Sequence, residues 1–159
     1  MFKKILVPLD GSKLAEKVLP QVEKLAKMHK AKVTLITVGG YGVSEAVGEA
    51  TPGVVEEASA HAKQEAEAYL KRVSAALKKK GVDATWVYRE GLAARKIIAY
   101  AEEKKMDLIA LASHGRGEVA WVLGSVAEKV VSHATVPVLL LRVMEFKPPL
   151  LKEEFFMGA

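Results

Sequence analysis

A single α/β domain built on a parallel sheet is predicted for this chain by three observations. Short apolar, β-branched runs alternate with longer segments whose apolar residues recur every three to four positions. That alternation, strand then helix four times over and then a fifth strand, demands parallel strands joined by right-handed crossovers. The 159 residues, half of them hydrophobic, are enough for one core, and no internal repeat or linker divides them.

Lys4 to Leu9 is too short for a helix and reads as a buried strand ending in Asp10-Gly11-Ser12. From Ser12 to about His29, Leu14, Val18, Val22, Leu25 and Ala26 mark one face of an amphipathic helix, with Asp10 or Ser12 as its cap. Lys32 to Val38 is the second strand, broken by Gly39 and Gly40, and the stretch to Gly53 has no period and reads as a loop. Val54 to Lys80 is a long helix, with Gly81 as the residue that ends it. Val82 to Tyr88 is the third strand, Leu92 to Lys105 the third helix and Leu108 to Ala112 the fourth strand. Ser113 to Leu123 is a glycine-containing connection, Ser125 to His133 a short helix and Val136 to Arg142 the fifth strand. The domain is thus residues 1–143, followed by a tail, 144–159, that holds Pro148-Pro149 and Phe146, Phe155 and Phe156. A tail so rich in aromatics is expected to dock, on a partner subunit or on its own domain, or else to serve as a free peptide that recruits another protein.

Composition excludes several classes. There is no cysteine, hence no disulfide framework, thiolate metal site or thiol nucleophile. No run approaches the ~18 apolar residues of a membrane span, and the N-terminus lacks a signal-peptide cleavage pattern, so a cytoplasmic location is expected. The net charge of +5 comes from Lys and Arg interleaved with Glu, the pattern of solvated helix faces rather than of a nucleic-acid surface. The dense run Lys78-Lys79-Lys80 suits a helix C-terminus. The absence of Asn and the two Gln, beside abundant Lys and Glu, match heat-adapted proteins.

An open parallel sheet binds its ligand beyond the carboxyl ends of its strands, where strand order reverses. The loops after the first and fourth strands, Asp10-Gly11-Ser12 and Ser113-His114-Gly115, are the candidates for that crevice. Ser113-His114-Gly115-Arg116-Gly117 leaves a strand and Gly124-Ser125 opens a helix, a combination that suits an anion: glycine admits close backbone approach, and free N–H groups favour negative charge. Arg116 and the Ser125 hydroxyl add to it. The same glycines also serve a chain that simply has to turn.

ILVPLDGS at 5–12, LASHGRG at 111–117 and GSVAEKVVSHATVPVLLLR at 124–142 resemble the universal stress protein family. The likeness runs from about Phe2 to Arg142. It implies a five-stranded parallel sheet in the order 3-2-1-4-5 with helices on both faces, and a homodimer. The fifth strand, Val136 to Arg142, is uniformly apolar yet lies at the edge in that order, so the pairing is expected there, unless the chain's own tail covers it. Some members bind ATP or AMP through Gly-x2-Gly-x9-Gly-Ser/Thr, which Gly115, Gly124 and Ser125 match. This chain departs twice: Ala112 replaces the first glycine, and eight residues rather than nine separate Gly115 from Gly124.

By the resemblance, Pro8 and Leu9 line a base pocket, Asp10 takes the ribose hydroxyls or the adenine side, and Val38 meets adenine through its backbone. Leu111, Ala112, His114 and Gly115 surround the ribose and first phosphates, and Gly124, Ser125 and Val126 hold the outer phosphates. The expected ligand is ATP or AMP, with or without Mg. Trp121 is expected to pack, or else to cover the nucleotide. No Walker lysine, water-positioning Gln or acidic metal pair is visible, so no catalytic residue is assigned and at most slow ATP hydrolysis is expected. The readings, in order, are a nucleotide-binding stress regulator, a dimeric interaction protein of the same fold without nucleotide, and an enzyme or phospho-receiver. The last lacks both a phosphoacceptor Asp after the third strand and a Gly-x-Ser-x-Gly elbow.

Overall fold

The computed structural model describes residues 1–40, 51–115 and 122–143. In chain order the elements are β1 (Lys4–Pro8), α1 (Lys13–Glu16), α2 (Leu19–His29), β2 (Lys32–Gly40), α3 (Pro52–Lys79), β3 (Asp83–Gly91), α4 (Ala93–Glu103), β4 (Leu108–Ala112), α5 (Ser125–His133) and β5 (Val138–Leu141). The strands form one sheet in the order β3-β2-β1-β4-β5, with every pairing parallel. Strand order therefore reverses between β1 and β4, where Ile5 lies beside Leu108.

Period-two alternation in the strands builds a core on each face. Ile5, Val7, Val33, Leu35 and Ala110 pack against α2 and α3 through Val22, Ala26, Leu70, Val73 and Leu77. Leu6, Ile36, Ile109 and Leu111 pack against α4 and α5 through Ile97, Ala101, Ala127 and Val130. Helices thus cover both faces of the sheet.

Four elements differ from the sequence reading. The helix expected from Ser12 to His29 is two helices, with Lys17 and Val18 turning between them. Pro20 has no N–H to continue the ladder, and it stands in the first turn of α2, where that loss costs nothing. Ser12, not Asp10, caps α1, its hydroxyl accepting from the Ala15 N–H. β2 runs on through Gly39 and Gly40, paired with Glu90 and Gly91, so β3 also extends beyond Tyr88. Tyr88 lies across Gly39, where any side chain would collide with its phenol ring. β5 begins at Val138 rather than Val136, since Pro137 lacks an N–H for the ladder. Expectations for Arg116, Gly117, Trp121 and the tail 144–159 lie outside the described residues.

Candidate functional site

The carboxyl ends of β1, β2 and β4, with the starts of α1, α4 and α5, enclose a cavity of about 260 Å³. The β1 end contributes Pro8, Leu9 and Asp10. Thr37, buried beside them, donates its hydroxyl to the Leu9 carbonyl at 2.9 Å, while the Leu9 N–H bonds Ile36. These two bonds fix the path by which the chain leaves the sheet and delivers Asp10 to the rim. One Asp10 oxygen accepts from the Ser12 N–H at 2.9 Å; the other faces Gly115. Asp10 is an exposed residue at the cavity mouth.

A Cβ at Gly115 would fall inside contact distance of the Asp10 carboxylate. The backbone there is not in the left-handed region. Gly115 is therefore a glycine of close approach, and the two loops predicted to form the crevice interlock at this point.

β4 contributes Leu111 and Ala112, and the loop after it Ser113, His114 and Gly115. Ala112 is a strand residue with no positive φ, so alanine in place of glycine strains no backbone and only adds a methyl to the cavity wall. His114 is 4% exposed. Its Nδ1 lies 2.7 Å from the Ser113 hydroxyl, and its Nε2 lies 2.5 Å from the Val122 carbonyl. The Ser113 hydroxyl also accepts from the Val143 N–H at 3.2 Å, and the Val143 carbonyl accepts from the Lys17 ammonium at 3.3 Å.

Gly124 and Val126 line the cavity; Ser125 does not, and stands exposed at the first position of α5. The Gly124 N–H bonds the Ser113 carbonyl at 2.9 Å. The donors that α5 leaves for a ligand are therefore the N–H groups of its first turn, which have no intrahelical partner. Val38 joins from β2. Five of the six further lining residues, Ala15, Ile36, Ala93, Ile97 and Ala127, are apolar, and the sixth is Ser113. Ile36 shares the face of Val38 by period two, and Ala93 and Ile97 are one turn apart on α4, so both were within reach of the pattern.

Behind the Asp10 loop, burial first and then the charge of Glu16 raise the pKa of the Tyr69 phenol, which stays neutral with its hydroxyl buried. Among the described residues no group of three His, Asp or Glu side chains comes together to hold a metal, and no helix is long and apolar enough to cross a membrane. The walls thus offer an apolar slot, a carboxylate at its rim and a helix N-terminus at its far end. That set accepts a flat apolar ring, hydroxyl donors and an anion.

Residues 1–142 match the Universal stress protein family. The chain belongs to that family. Universal stress protein MJ0531 of Methanocaldococcus jannaschii is 36% identical over 143 residues, which span 89% of this chain and 83% of that one. The solved structure of MJ0577, from the same organism, is 26% identical with a TM-score of 0.81, covering 92% of this chain and 99% of that chain. A universal stress protein from Archaeoglobus fulgidus, solved in complex with dAMP, shares the fold at a TM-score of 0.64 and 18% identity, over 89% of this chain and 98% of that chain.

Proposed function

We propose that this universal stress protein is a stress-response regulator that binds an adenine nucleotide, ATP or AMP, at the carboxyl ends of β1 and β4. The observation that carries the reading is a cavity at the strand-order reversal, where an apolar slot, a rim carboxylate and an uncapped helix N-terminus meet. Ile36, Val38, Leu111 and Val126 flank the base. Asp10 accepts from the ribose hydroxyls, and the first N–H groups of α5 meet the phosphates. The relative solved with dAMP supports the choice of adenine. Magnesium, where present, arrives on the ATP phosphates, because the described residues offer no cluster of carboxylates to hold it alone. The protein works in the cytoplasm by holding nucleotide, with at most slow hydrolysis.

Ala112 bears on the competing reading, an interaction protein of this fold without nucleotide. Its extended backbone means that alanine there carries no strain, which leaves its added methyl and the loop one residue short as the departures that favour that reading. Calorimetric titration with ATP and AMP tests the proposal, with thermal melting as the second measure. Saturating nucleotide should raise stability, by about 2.7 kcal/mol at a hundredfold excess over Kd. No heat and no melting shift at millimolar nucleotide defeats it.

The protein also pairs as a homodimer through β5. That strand lies at a sheet edge, is wholly apolar over Val138–Leu141, and is half-buried at every position. An apolar edge left open invites another chain, and a two-fold axis would cover both copies at once. Sedimentation as a monomer at micromolar concentration would overturn this pairing.

A further inference from the structure

We propose that His114 serves the nucleotide site as a latch: a neutral imidazole carrying its proton on Nε2, which ties the loop after β4 to the start of α5 and so positions the phosphate-binding N–H groups. It is a positioning residue rather than a phosphate ligand.

The proton assignment follows from the partners. A carbonyl only accepts, so the nitrogen facing Val122 O must carry hydrogen. The neutral ring then has its lone pair on Nδ1, where the Ser113 hydroxyl donates. That hydroxyl in turn accepts from the Val143 N–H. These bonds all run in one direction: Val143 N–H to Ser113 oxygen, Ser113 O–H to Nδ1, and Nε2–H to Val122 carbonyl.

A second bond runs alongside, from the Gly124 N–H to the Ser113 carbonyl. Residues 113 and 114 therefore hold residues 122 and 124 by one side-chain and one backbone bond. This pair of ties fixes where α5 begins relative to the interlock of Asp10 and Gly115. Among neutral side chains, an imidazole places an acceptor and a donor at opposite sides of one rigid ring. The bond to Ser113 is buried and that to Val122 part-buried, so the first is shielded from water and the second partly so.

The proposal rests on the nucleotide reading for its affinity arm alone. Long-range ¹⁵N–¹H correlation spectra of the ligand-free protein should show the Nε2–H tautomer; the Nδ1–H tautomer overturns the latch. His114→Phe keeps a ring but removes both bonds, and should raise the nucleotide Kd about tenfold or more. His114→Gln, whose amide N–H reaches about as far as Nε2, should stay within about threefold of wild type. Equal losses in the two variants overturn the proposal. Should the wild type bind no adenine nucleotide, that reading falls while amide exchange at Gly124 still decides this one: faster in His114→Phe and near wild type in His114→Gln, or else no latch. If His114→Phe does not fold, His114→Asn takes its place, being too short to reach Val122.

Discussion

The two ends of the sheet are made from the same five strands and treat their polar groups in opposite ways. At the amino ends, one Asp107 oxygen accepts from the N–H groups of both Lys3 and Lys4, each at 2.8 Å. The Lys4 ammonium reaches the carbonyl of Lys104, just past the end of α4, at 3.1 Å, and that of Lys3 reaches His29, at the end of α2, at 3.5 Å. At the carboxyl ends, α4 and α5 begin without any side-chain cap, and α4 has no acidic residue in its first turn. In a parallel α/β layer all helix C-termini face one way and all N-termini the other, so one end gathers carbonyls and the other gathers N–H groups. This chain sets lysines against carbonyls at the first end, while at the second the opening N–H groups of α4 and α5 carry no side-chain cap, the feature on which the proposed anion site rests.

Substitutions at the two ends should separate binding from stability. The largest effect is expected from Gly115→Val, which drives a branched side chain into the Asp10 carboxylate and should raise the nucleotide Kd by about a hundredfold or more, with a stability loss of about 1–3 kcal/mol; calorimetry and urea unfolding read the two numbers. Asp107→Ala, at the opposite end, removes two exposed hydrogen bonds to backbone N–H groups and should cost about 1 kcal/mol of stability while leaving the Kd unchanged. A changed Kd there would mean that the two ends are coupled. Asp10→Ala should weaken nucleotide about tenfold and lower stability by no more than about 0.5 kcal/mol, since Ser12 remains the cap of α1.

The smallest effect belongs to Glu23, away from both ends on α2. Lys27 first, then Lys80, holds its carboxyl below the usual range. A depressed carboxylate pKa stabilises the fold above its unfolded value, and that contribution disappears as pH falls through the folded one. Glu23→Gln should therefore melt slightly lower than wild type at neutral pH, with the gap closing in acid and shrinking in high salt.

The architecture was legible because strand and helix periods differ so plainly here: KVTLITV and the Ala-rich stripe of α3 admit one reading each. Strand order was not in those periods; it came with the family motifs. The missed break at Pro20 was visible as a proline inside a helical pattern, but Val18 and Val22 keep their spacing across it, and the pattern masked the stop. At the site, loop ends and glycines pointed to the crevice, while the reason for Gly115 did not show. Its partner is Asp10, more than a hundred residues earlier, and close approach between two loops leaves no local trace in sequence. The same holds for His114, placed by motif around the ligand, whose bonds to Ser113 and Val122 depend on how the loop closes.

Val143 gives the domain a practical edge. It is 9% exposed, its N–H is taken by Ser113 from the loop after β4, and its carbonyl by Lys17 from the end of α1. One peptide unit on either side of this residue is thus hydrogen-bonded to a different flank of the cavity. A deletion ending at Arg142, the last residue of the family match, would remove that clasp and set a new terminal carboxylate beside the Ser113 hydroxyl. Its loss of ligand or of melting temperature would then be misread as the work of residues 144–159. Truncations meant to isolate those residues should keep Val143, with an amidated or extended terminus to preserve its carbonyl as an acceptor.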